Sequence, residues 1–437
     1  MGWPRGLYSA LLLALTPLIW RRIRREHALT DFHQTPRELR LGRILETPSG
    51  ERMLWLHCAS VGEVLAARPL IEALLERYPE HRLTLTTMTA TGAERAQALA
   101  ASRNDERVVH HFIPLDFPRA AARFVERLRP ELALFFETEL WPNLLHACCS
   151  RGVPVAVING RLSPRAFRGY RRLRPLMREA LACVDWLAAK SVADAERFAR
   201  LGMAQERIDV VGSLKFDIAT DNGALEVSER LRTRLGERPV WVAGSTHEGE
   251  ETALLAAHAR LRESHLTPGF KSCSEALLVL VPRHPQRFDA VAALCEQAGM
   301  PVARRSRGEW PEAATAVYLG DTMGELLTLY GAADLAFVGG SLVPIGGHNL
   351  LEPAALGVPV LTGHHLANFE EVAEVLRGAD ALVEIVDDRA LADVLAKLFA
   401  DPAERRRLGE AGRAVVAANR GALERTLEGL SRCLPAK

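Results

Sequence analysis

Short apolar runs and segments of helical spacing alternate along the chain from about residue 53 onward. In the first half, strand-like runs lie at 53–57, 82–88, 110–114, 132–136 and 153–159, and helical spacing is found at 64–78, 91–101, 118–128 and 141–150. In the second half, strand-like runs lie at 240–244, 277–281, 316–319, 335–338 and 358–361. Because a strand–helix–strand order favours parallel pairing with helices on both faces of the sheet, the pattern predicts parallel α/β sheets.

A polar stretch of weak periodicity at residues 217–225 interrupts this alternation. The chain has 437 residues, which is too long for one ordinary core. We therefore predict two doubly wound, Rossmann-like α/β domains that face a cleft, the first at 26–217 and the second at 226–437, joined by a linker at 218–225. Ligands of such sheets bind beyond the carboxyl ends of the strands.

The N-terminal segment is apolar over residues 7–20, ends in Trp20, and is followed by Arg-Arg-Ile-Arg-Arg. A transmembrane helix needs about 20 apolar residues, so this run is short for one. A signal peptide would carry its basic residues before the apolar run instead of after it. We interpret residues 1–25 as a membrane-anchor helix with the arginines against anionic lipid, which places the protein body on the cytoplasmic side. A buried first helix is the alternative.

Composition narrows the class of protein. The hydrophobic share is 48% and the charged share 25%, which is typical of a folded globular chain. The formal net charge is +1, so we expect no nucleic-acid partner. The seven cysteines include no Cys-x-x-Cys pair, so we expect scattered thiols in a reducing compartment, without a disulfide framework or a structural zinc site.

In the first half, three loops carry candidate chemistry. Glu63 follows a Gly turn and is either a general base or a helix-start acid stabilised by the helix dipole. Glu137 and Glu139 follow an apolar strand directly and are hard to explain by packing alone. Lys215 near the end of the first domain could neutralise a carboxylate or phosphate, or it is a solvated lysine.

In the second half, four loops combine glycine with polar residues. They are Gly-Ser-Thr-His-Glu-Gly-Glu-Glu at 244–251, Val-Pro-Arg-His-Pro at 281–285, Gly-Asp-Thr-Met-Gly-Glu-Leu at 320–326, and the Gly-rich segment 339–353. Backbone N–H groups of the first loop suit an anion, and Arg283 could fork onto a phosphate. Asn349 and Glu352 lie three apart, on one face of a helix start.

Other chemistries lack support in the sequence. The histidines are dispersed without a His-x-x-x-His pair, so we expect no metal site. A Gly-x-Ser-x-Gly nucleophile motif is missing as well.

Several motifs in fixed order resemble the Kdo (3-deoxy-manno-octulosonic acid) transferases, a GT-B glycosyltransferase family. They are Ala-Ser-Val-Gly-Glu-Val, Glu-Thr-Glu-Leu-Trp-Pro-Asn, Asn-Gly-Arg-Leu-Ser, Gly-Ser-Leu-Lys-Phe-Asp, the first three second-half loops above, and Gly-Gly-His-Asn-x-x-Glu-Pro. The resemblance extends to about residue 375. One departure is Leu350, where proline is expected.

The resemblance implies transfer of Kdo from CMP-Kdo to the lipid A precursor (lipid IVA), with inversion and without a metal or other cofactor, at the cytoplasmic side of the inner membrane. It implies that Glu63 is the base and that Glu137 and Lys215 stabilise the transition state. The implied donor-binding residues are Ser245, Pro282, Arg283, Met323, Gly324, Glu325, Gly347, His348, Asn349 and Glu352. Another GT-B enzyme with a different sugar nucleotide and a non-catalytic lipid-binding protein are the alternatives.

Overall fold

The computed structural model describes residues 2–27, 37–103, 106–217, 222–263 and 273–434. The chain forms two compact units. Unit 1 comprises Met1–Asp217 and Asn419–Lys437, and unit 2 comprises Ile218–Ala418. Each unit is built on a parallel sheet of seven strands, so the predicted α/β fold class is confirmed.

The sheet of unit 1 has the order β3-β2-β1-β4-β5-β6-β7. Its strands are β1 (Arg52–His57), β2 (His81–Thr87), β3 (Val108–Phe112), β4 (Leu132–Phe136), β5 (Val155–Gly160), β6 (Trp186–Ala189) and β7 (Ile208–Val210). The five strands predicted in this half are confirmed within a few residues. β6 and β7 were not predicted.

Helices cover both faces of this sheet. They are α1 (Trp3–His27), α2 (Arg37–Arg40), α3 (Val61–Ala66), α4 (Arg68–Arg77), α5 (Ala90–Arg103), α6 (Pro118–Leu128), α7 (Pro142–Cys149), α8 (Pro164–Arg172), α9 (Arg174–Leu181) and α10 (Val192–Leu201). Successive β1 residues alternate between two cores: Trp55 packs with Phe124 and Phe135 on one side, and Leu56 packs with Leu70 on the other. This alternation is the expected result of a strand buried on both faces.

The predicted helix at 64–78 is two helices in the structure. α3 ends at Ala66 and α4 starts at Arg68, with Ala67 as the residue between them. Pro69 lies in the first turn of α4, where its missing N–H costs no hydrogen bond but where it cannot continue a preceding helix. The short α3 therefore forms a separate element directly after β1.

Unit 2 has the sheet order β10-β11-β9-β8-β12-β13-β14. Its strands are β8 (Val240–Thr246), β9 (Leu277–Pro282), β10 (Val302–Arg304), β11 (Val317–Leu319), β12 (Leu335–Val338), β13 (Val360–Thr362) and β14 (Leu382–Glu384). Its helices are α11 (Asn222–Leu235), α12 (Glu250–Glu263), α13 (Phe288–Gln297), α14 (Leu326–Gly331), α15 (Leu351–Ala355), α16 (Glu370–Gly378), α17 (Asp388–Ala400) and α18 (Pro402–Asn419). The predicted strands are confirmed, and the edge strands β10 and β14 are additional.

The last helix, α19 (Ala422–Cys433), belongs to unit 1. Its Ala422 and Leu430 lie in the same core as Leu56, and the Asp217 carboxylate accepts hydrogen bonds from the N–H groups of Gly421 (2.7 Å) and Leu423 (2.6 Å). The expected assignment of all of 226–437 to the second domain is therefore corrected for residues 419–437. Half of the predicted linker, residues 218–221, lies outside the described residues, and the other half belongs to α11, which begins at Asn222.

α1 packs along unit 1 through polar as well as apolar contacts. Arg5 is buried and its Nε lies 3.2 Å from Glu179 Oε1, while Asn143 Nδ2 donates to Ser9 Oγ at 3.1 Å. Farther along, Leu12 and Ile19 pack against a small core that contains Phe117. Among the described residues, no helix combines the length and the apolarity needed to cross a bilayer.

Candidate functional site

Both sheets reverse their winding direction beside their first strand. In unit 1, β1 lies between β2 and β4, and in unit 2, β8 lies between β9 and β12. Crevices of doubly wound sheets open where the strand order reverses, at the carboxyl ends of the strands. Glu63 follows β1 and Glu137 follows β4, so the two predicted acids flank this point in unit 1.

Glu63 lies in the first turn of α3, where Ser60 is the N-cap residue. The Ala59 N–H donates to Glu63 Oε2 at 2.7 Å, and the Ser60 hydroxyl donates to Glu63 Oε1 at 2.9 Å. The Glu63 N–H in turn donates to Ser60 Oγ at 3.4 Å. These reciprocal bonds resemble a capping box, and they hold the carboxylate in one orientation.

The pKa of Glu63 bears on whether this residue can act as a general base as well as a helix-start acid. The pKa of Glu63 is raised to about 7, mainly by burial and also by the charges of Glu139 and Glu137, against the bonds from Ala59 and Ser60. The helix dipole and the cap bonds favour the charged form and lower the pKa, but burial outweighs them. A carboxylate that titrates near neutral pH is suited to accept and release a proton.

The loop after β4 turns sharply at Glu137. This residue has a left-handed backbone with φ of 60°, and its N–H donates to Ile158 O at 2.8 Å. Such a backbone is strained for a residue other than glycine and often marks a functional site. The Glu137 carboxylate is half-buried and makes no hydrogen bond or ion pair with a described residue.

Glu139 connects this loop to the end of β1. Its Oε2 lies 3.6 Å from Nε2 of the fully buried His57 and accepts a hydrogen bond from Trp141 Nε1 at 2.8 Å. Burial works to raise the pKa of Glu139, but His57 and Trp141 outweigh it and lower that pKa. Glu139 is therefore charged at neutral pH, and its charge acts on Glu63. Burial and these carboxylates raise the pKa of the Cys58 thiol well above its ordinary value, so Cys58 is a neutral thiol.

Lys215 lies at the same carboxyl end of the sheet, but after a strand farther from β1. It is half-buried in the turn Leu214–Phe216, which follows β7, the edge strand. The Leu214 N–H donates to Oδ1 of the buried Asn159 at 3.3 Å, so the turn is tied to the end of β5. The structure thus groups Glu63, Glu137 and Glu139 closely and places Lys215 on a neighbouring loop.

In unit 2, the predicted donor residues lie at the carboxyl ends of four adjacent strands, β11, β9, β8 and β12, or in the loops that follow them. Three of these residues have backbones in the left-handed region: Ser245 (φ 57°), Gly324 (φ 85°) and Gly347 (φ 78°). Pro282 is the buried last residue of β9, and Met323 is 61% exposed. All four loops lie at one end of the sheet.

A cluster of imidazoles lies beside Arg283. His247 Nε2 and His348 Nε2 are 2.7 Å apart and their rings are stacked, while the His284 ring lies 5.1 Å from that of His247. The pKa of His348 is lowered to about 4, mainly by burial and then by His247 and Arg283. Burial also lowers the pKa of His247, so both rings are neutral at pH 7, and the Nε2–H of one ring donates a hydrogen bond to Nε2 of the other.

Asn349 and Glu352 meet as the spacing predicted. Asn349 Nδ2 donates to Glu352 Oε1 at 3.1 Å, and Asn349 Oδ1 accepts from the Leu351 N–H at 3.2 Å. Burial raises the pKa of Glu352, against the Asn349 bond and the nearby Arg283. Leu350, the departure from the family pattern, is buried and leaves both side chains in place.

Arg305 holds the loop that carries Met323 and Gly324. Arg305 Nε donates to Glu325 Oε2 at 2.7 Å, and the Thr322 hydroxyl donates to the same carboxylate. This bond with Arg305 lowers the pKa of Glu325. The Glu325 carboxylate is therefore occupied within the chain, and the neighbouring backbone and the Met323 side chain are the exposed parts of the loop.

Four residues of these two groups were not assigned a role from the sequence: Glu139, His57, His247 and Arg305. Glu139 and His247 lie in the motifs that drew attention to Glu137 and to 244–251, so the motifs contained the signal. His57 and Arg305 are recognised only when strand order is known. Within the described residues, no group of three or more His, Cys, Asp or Glu side chains is arranged to hold a metal ion.

Known protein-family models match segments in both halves of the chain. Residues 36–218 match the family model described as 3-Deoxy-D-manno-octulosonic-acid transferase (kdotransferase), and residues 311–415 match glycosyl transferases group 1.

Two curated relatives cover most of the chain. The 3-deoxy-D-manno-octulosonic acid transferase of Haemophilus influenzae is 40% identical over 86% of this chain and 86% of its own length. That of Bordetella pertussis is 39% identical over 98% of both chains. Among solved structures, UDP-GlcNAc 2-epimerase from Neisseria meningitidis bound to UDP-GlcNAc matches with a TM-score of 0.55 at 13% identity, over 87% of this chain and all of that one. This likeness shows the fold.

Proposed function

The chain belongs to the 3-deoxy-D-manno-octulosonic acid transferase family and is a Kdo transferase of lipopolysaccharide biosynthesis; from this premise we propose that it transfers Kdo from CMP-Kdo to the lipid A precursor, with Glu63 as the base. The observation that carries the proposal is the half-buried Glu63 at the strand-order reversal of unit 1, with a pKa raised to about 7 by burial and by two neighbouring carboxylates.

The proposed step is an inverting displacement. An acceptor hydroxyl loses its proton to Glu63 as its oxygen bonds to the anomeric carbon of Kdo. The bond from that carbon to the phosphate oxygen breaks, and CMP leaves with the electron pair. Glu137, whose carboxylate has no partner among the described residues, stabilises the positive charge that develops on the sugar ring.

The leaving phosphate needs positive charge and hydrogen-bond donors, which in unit 2 we assign to Arg283. In unit 1 we assign Lys215 to stabilisation of the transition state. The neutral His348 is a suitable hydrogen-bond donor next to Arg283. Asn349 and Glu352 form a polar pair suited to the ribose hydroxyls, and the backbone around Gly324 is open to the base. No step of this scheme requires a metal ion.

The proposed acceptor side of unit 1 carries a row of arginines on α8. Arg165, Arg168 and Arg172 recur at helical spacing, opposite the buried Phe167. Together with Arg161, Arg171 and Arg174 they are exposed and form no ion pair with any described residue.

This row adjoins the acid loop. The Thr138 hydroxyl donates to the Arg161 carbonyl oxygen, and burial and the Glu139 charge raise the pKa of Tyr170 on α8. We assign the α8 arginines to the phosphates of the lipid acceptor.

We propose that α1 holds the protein at the cytoplasmic side of the inner membrane by lying in the lipid interface. One face of α1 exposes Trp3 (74%), Leu7 (65%), Leu11 (57%) and Leu18 (62%), and Arg21, Arg24 and Arg25 at its end are also exposed. An apolar stripe followed by basic residues is typical of an interfacial helix.

The deciding experiment is a mass-spectrometric transfer assay with CMP-Kdo and lipid IVA, in which the mass of the acceptor must rise by one or more Kdo units. The donor is tested separately, by comparing the thermal shifts caused by CMP and by UDP. A larger shift with CMP supports the assignment, whereas equal shifts or transfer from a UDP-sugar would refute it.

A further inference from the structure

The carboxylate of Glu250 is fully buried inside a ring of backbone N–H groups in unit 2. Its Oε2 accepts from Gly340 N at 2.7 Å and from His247 N at 3.0 Å, and its Oε1 accepts from Ser341 N and Leu342 N, both at 2.9 Å. Four N–H donors thus converge on one side chain.

From the sequence, we expected the backbone N–H groups of the turn after β8 to bind an external anion. The structure shows that at least His247 N–H is bound to the chain's own carboxylate. A buried carboxylate is costly unless it is hydrogen-bonded, so the Glu250 position and the loop position depend on each other. The carboxylate therefore acts as an internal anion that shapes the start of the Gly-rich loop.

The start of this loop is connected to its end. The Gly347 N–H donates to Gly340 O at 2.7 Å, so the loop folds back on the residue that Glu250 holds. A Cβ atom on Gly340 would lie 2.8 Å from the His348 ring, which shows how closely that ring rests on Gly340. His348 is also paired with His247, whose own N–H is bound to Glu250.

We propose that Glu250 is a positioning residue for donor binding, which sets the Gly-rich loop so that His348, Asn349 and Glu352 are in place before the donor arrives. The proposal rests on the proposed function, since it takes the donor to be a cytidine nucleotide. Glu250 itself is buried beneath the loop and acts on the ligand only through these residues.

Glu251 offers a matched control. It is equally buried in the same helical turn, but its carboxylate accepts from the Thr246 hydroxyl at 3.1 Å and from Arg287 at 3.2 Å, and it makes no hydrogen bond to a described residue of the Gly-rich loop. A role in stability alone predicts the same consequences for Glu250→Gln and Glu251→Gln. A positioning role predicts that only Glu250→Gln changes nucleotide affinity, because its new NH₂ group cannot accept from the loop N–H groups.

The test is calorimetric titration of CMP into the full-length wild-type, Glu250→Gln and Glu251→Gln proteins, with acceptor KM measured in parallel. We expect Glu250→Gln to weaken CMP binding by about tenfold, because part of the free energy of binding is then used to order the loop. Glu251→Gln should stay within about twofold, on the same scale, and acceptor KM should not change. Equal CMP affinity in wild type and Glu250→Gln, or equal losses in both variants, would overturn the inference.

A wild-type protein that transfers Kdo but does not bind CMP would instead refute the proposed donor. Should Glu250→Gln not fold, hydrogen exchange of the wild-type protein decides the question. Amides of Gly340, Ser341 and Leu342 should be protected without CMP, and exchange at the rate of an open loop would overturn the inference.

Discussion

Nε2 of the buried His57 lies 3.6 Å from Oε2 of Glu139, so the last residue of β1 faces the acid loop that follows β4. Through this contact Glu139 keeps its charge, and that charge contributes to the raised pKa of Glu63. The three residues therefore act as one electrostatic group.

Replacement of Glu63 by Gln should lower kcat by about 10²–10⁴-fold, the typical contribution of a general base. The base works in its deprotonated form, so wild-type activity should rise with pH through about 7, the pKa of Glu63, and level off above it. A pH profile of kcat/KM measures this. CMP binding by Glu63→Gln should match wild type, and full turnover of that variant would exclude Glu63 as the base.

Replacement of Glu139 by Gln should shift the rise of kcat/KM with pH to lower pH. Burial, the larger cause of the raised pKa of Glu63, remains, but one of the two neighbouring negative charges is lost. The protonated form of Glu63 is then less favoured, and its pKa falls. A midpoint that stays in place or rises in the pH profile would contradict the grouping of these carboxylates.

Reversal of charge on α8, in the double variant Arg168→Glu and Arg172→Glu, should raise acceptor KM by at least about tenfold, since each contact with a phosphate contributes about 1 kcal/mol even at high dielectric. CMP affinity should not change. The effect should be smaller with a dephosphorylated acceptor. Arg77→Glu, an exposed arginine on α4 in the same unit, is the control, and an equal rise in KM there would indicate a nonspecific charge effect.

Substitution of Leu7 and Leu11 by Glu should reduce co-sedimentation with anionic lipid vesicles by more than about tenfold, because each buried leucine contributes about 1.5–3 kcal/mol. Val386→Glu, at a side chain of unit 2 that is 70% exposed, is the matched control. Point substitution is preferable to deletion of α1, since deletion would uncover Phe117 and leave Glu179 without Arg5. Unchanged sedimentation of the double variant would show that other surfaces bind the membrane.

Replacement of Arg304 by Ala should lower the free energy of unfolding by about 1.5–3 kcal/mol, because Asp321 loses a charged hydrogen-bond donor but keeps the two bonds from Ser306. Arg304 Nε lies 2.7 Å from Asp321, whose side chain is fully buried at the start of the loop that carries Met323. Arg307→Ala should cost no more than about 1 kcal/mol, because the side chain of Arg307 is largely exposed and its ion pair with Glu309 is long. Urea denaturation compares the two variants, and similar midpoints would refute the role of the buried pair.

Much of the fold could be predicted because its signals are local. Buried parallel strands appear as short apolar runs, and the runs at 132–136 and 335–338 coincide with β4 and β12. Edge strands such as β10 and β14 are only three residues long and half exposed, so they lack such a run. Pro69 split a helix whose apolar spacing continued across the break.

The sequence by itself determined the fold class, the family and the loops that carry the candidate residues, because turn chemistry and apolar periodicity are properties of neighbouring residues. Only the tertiary structure decided that β1 lies beside β4, which brings His57 and Glu139 together across more than 80 residues of chain, and that Glu250 occupies the N–H groups of a loop 90 residues later. It also showed that α19 belongs to unit 1. Strand order and burial are set by packing among distant segments, and the pKa of Glu63 depends on both.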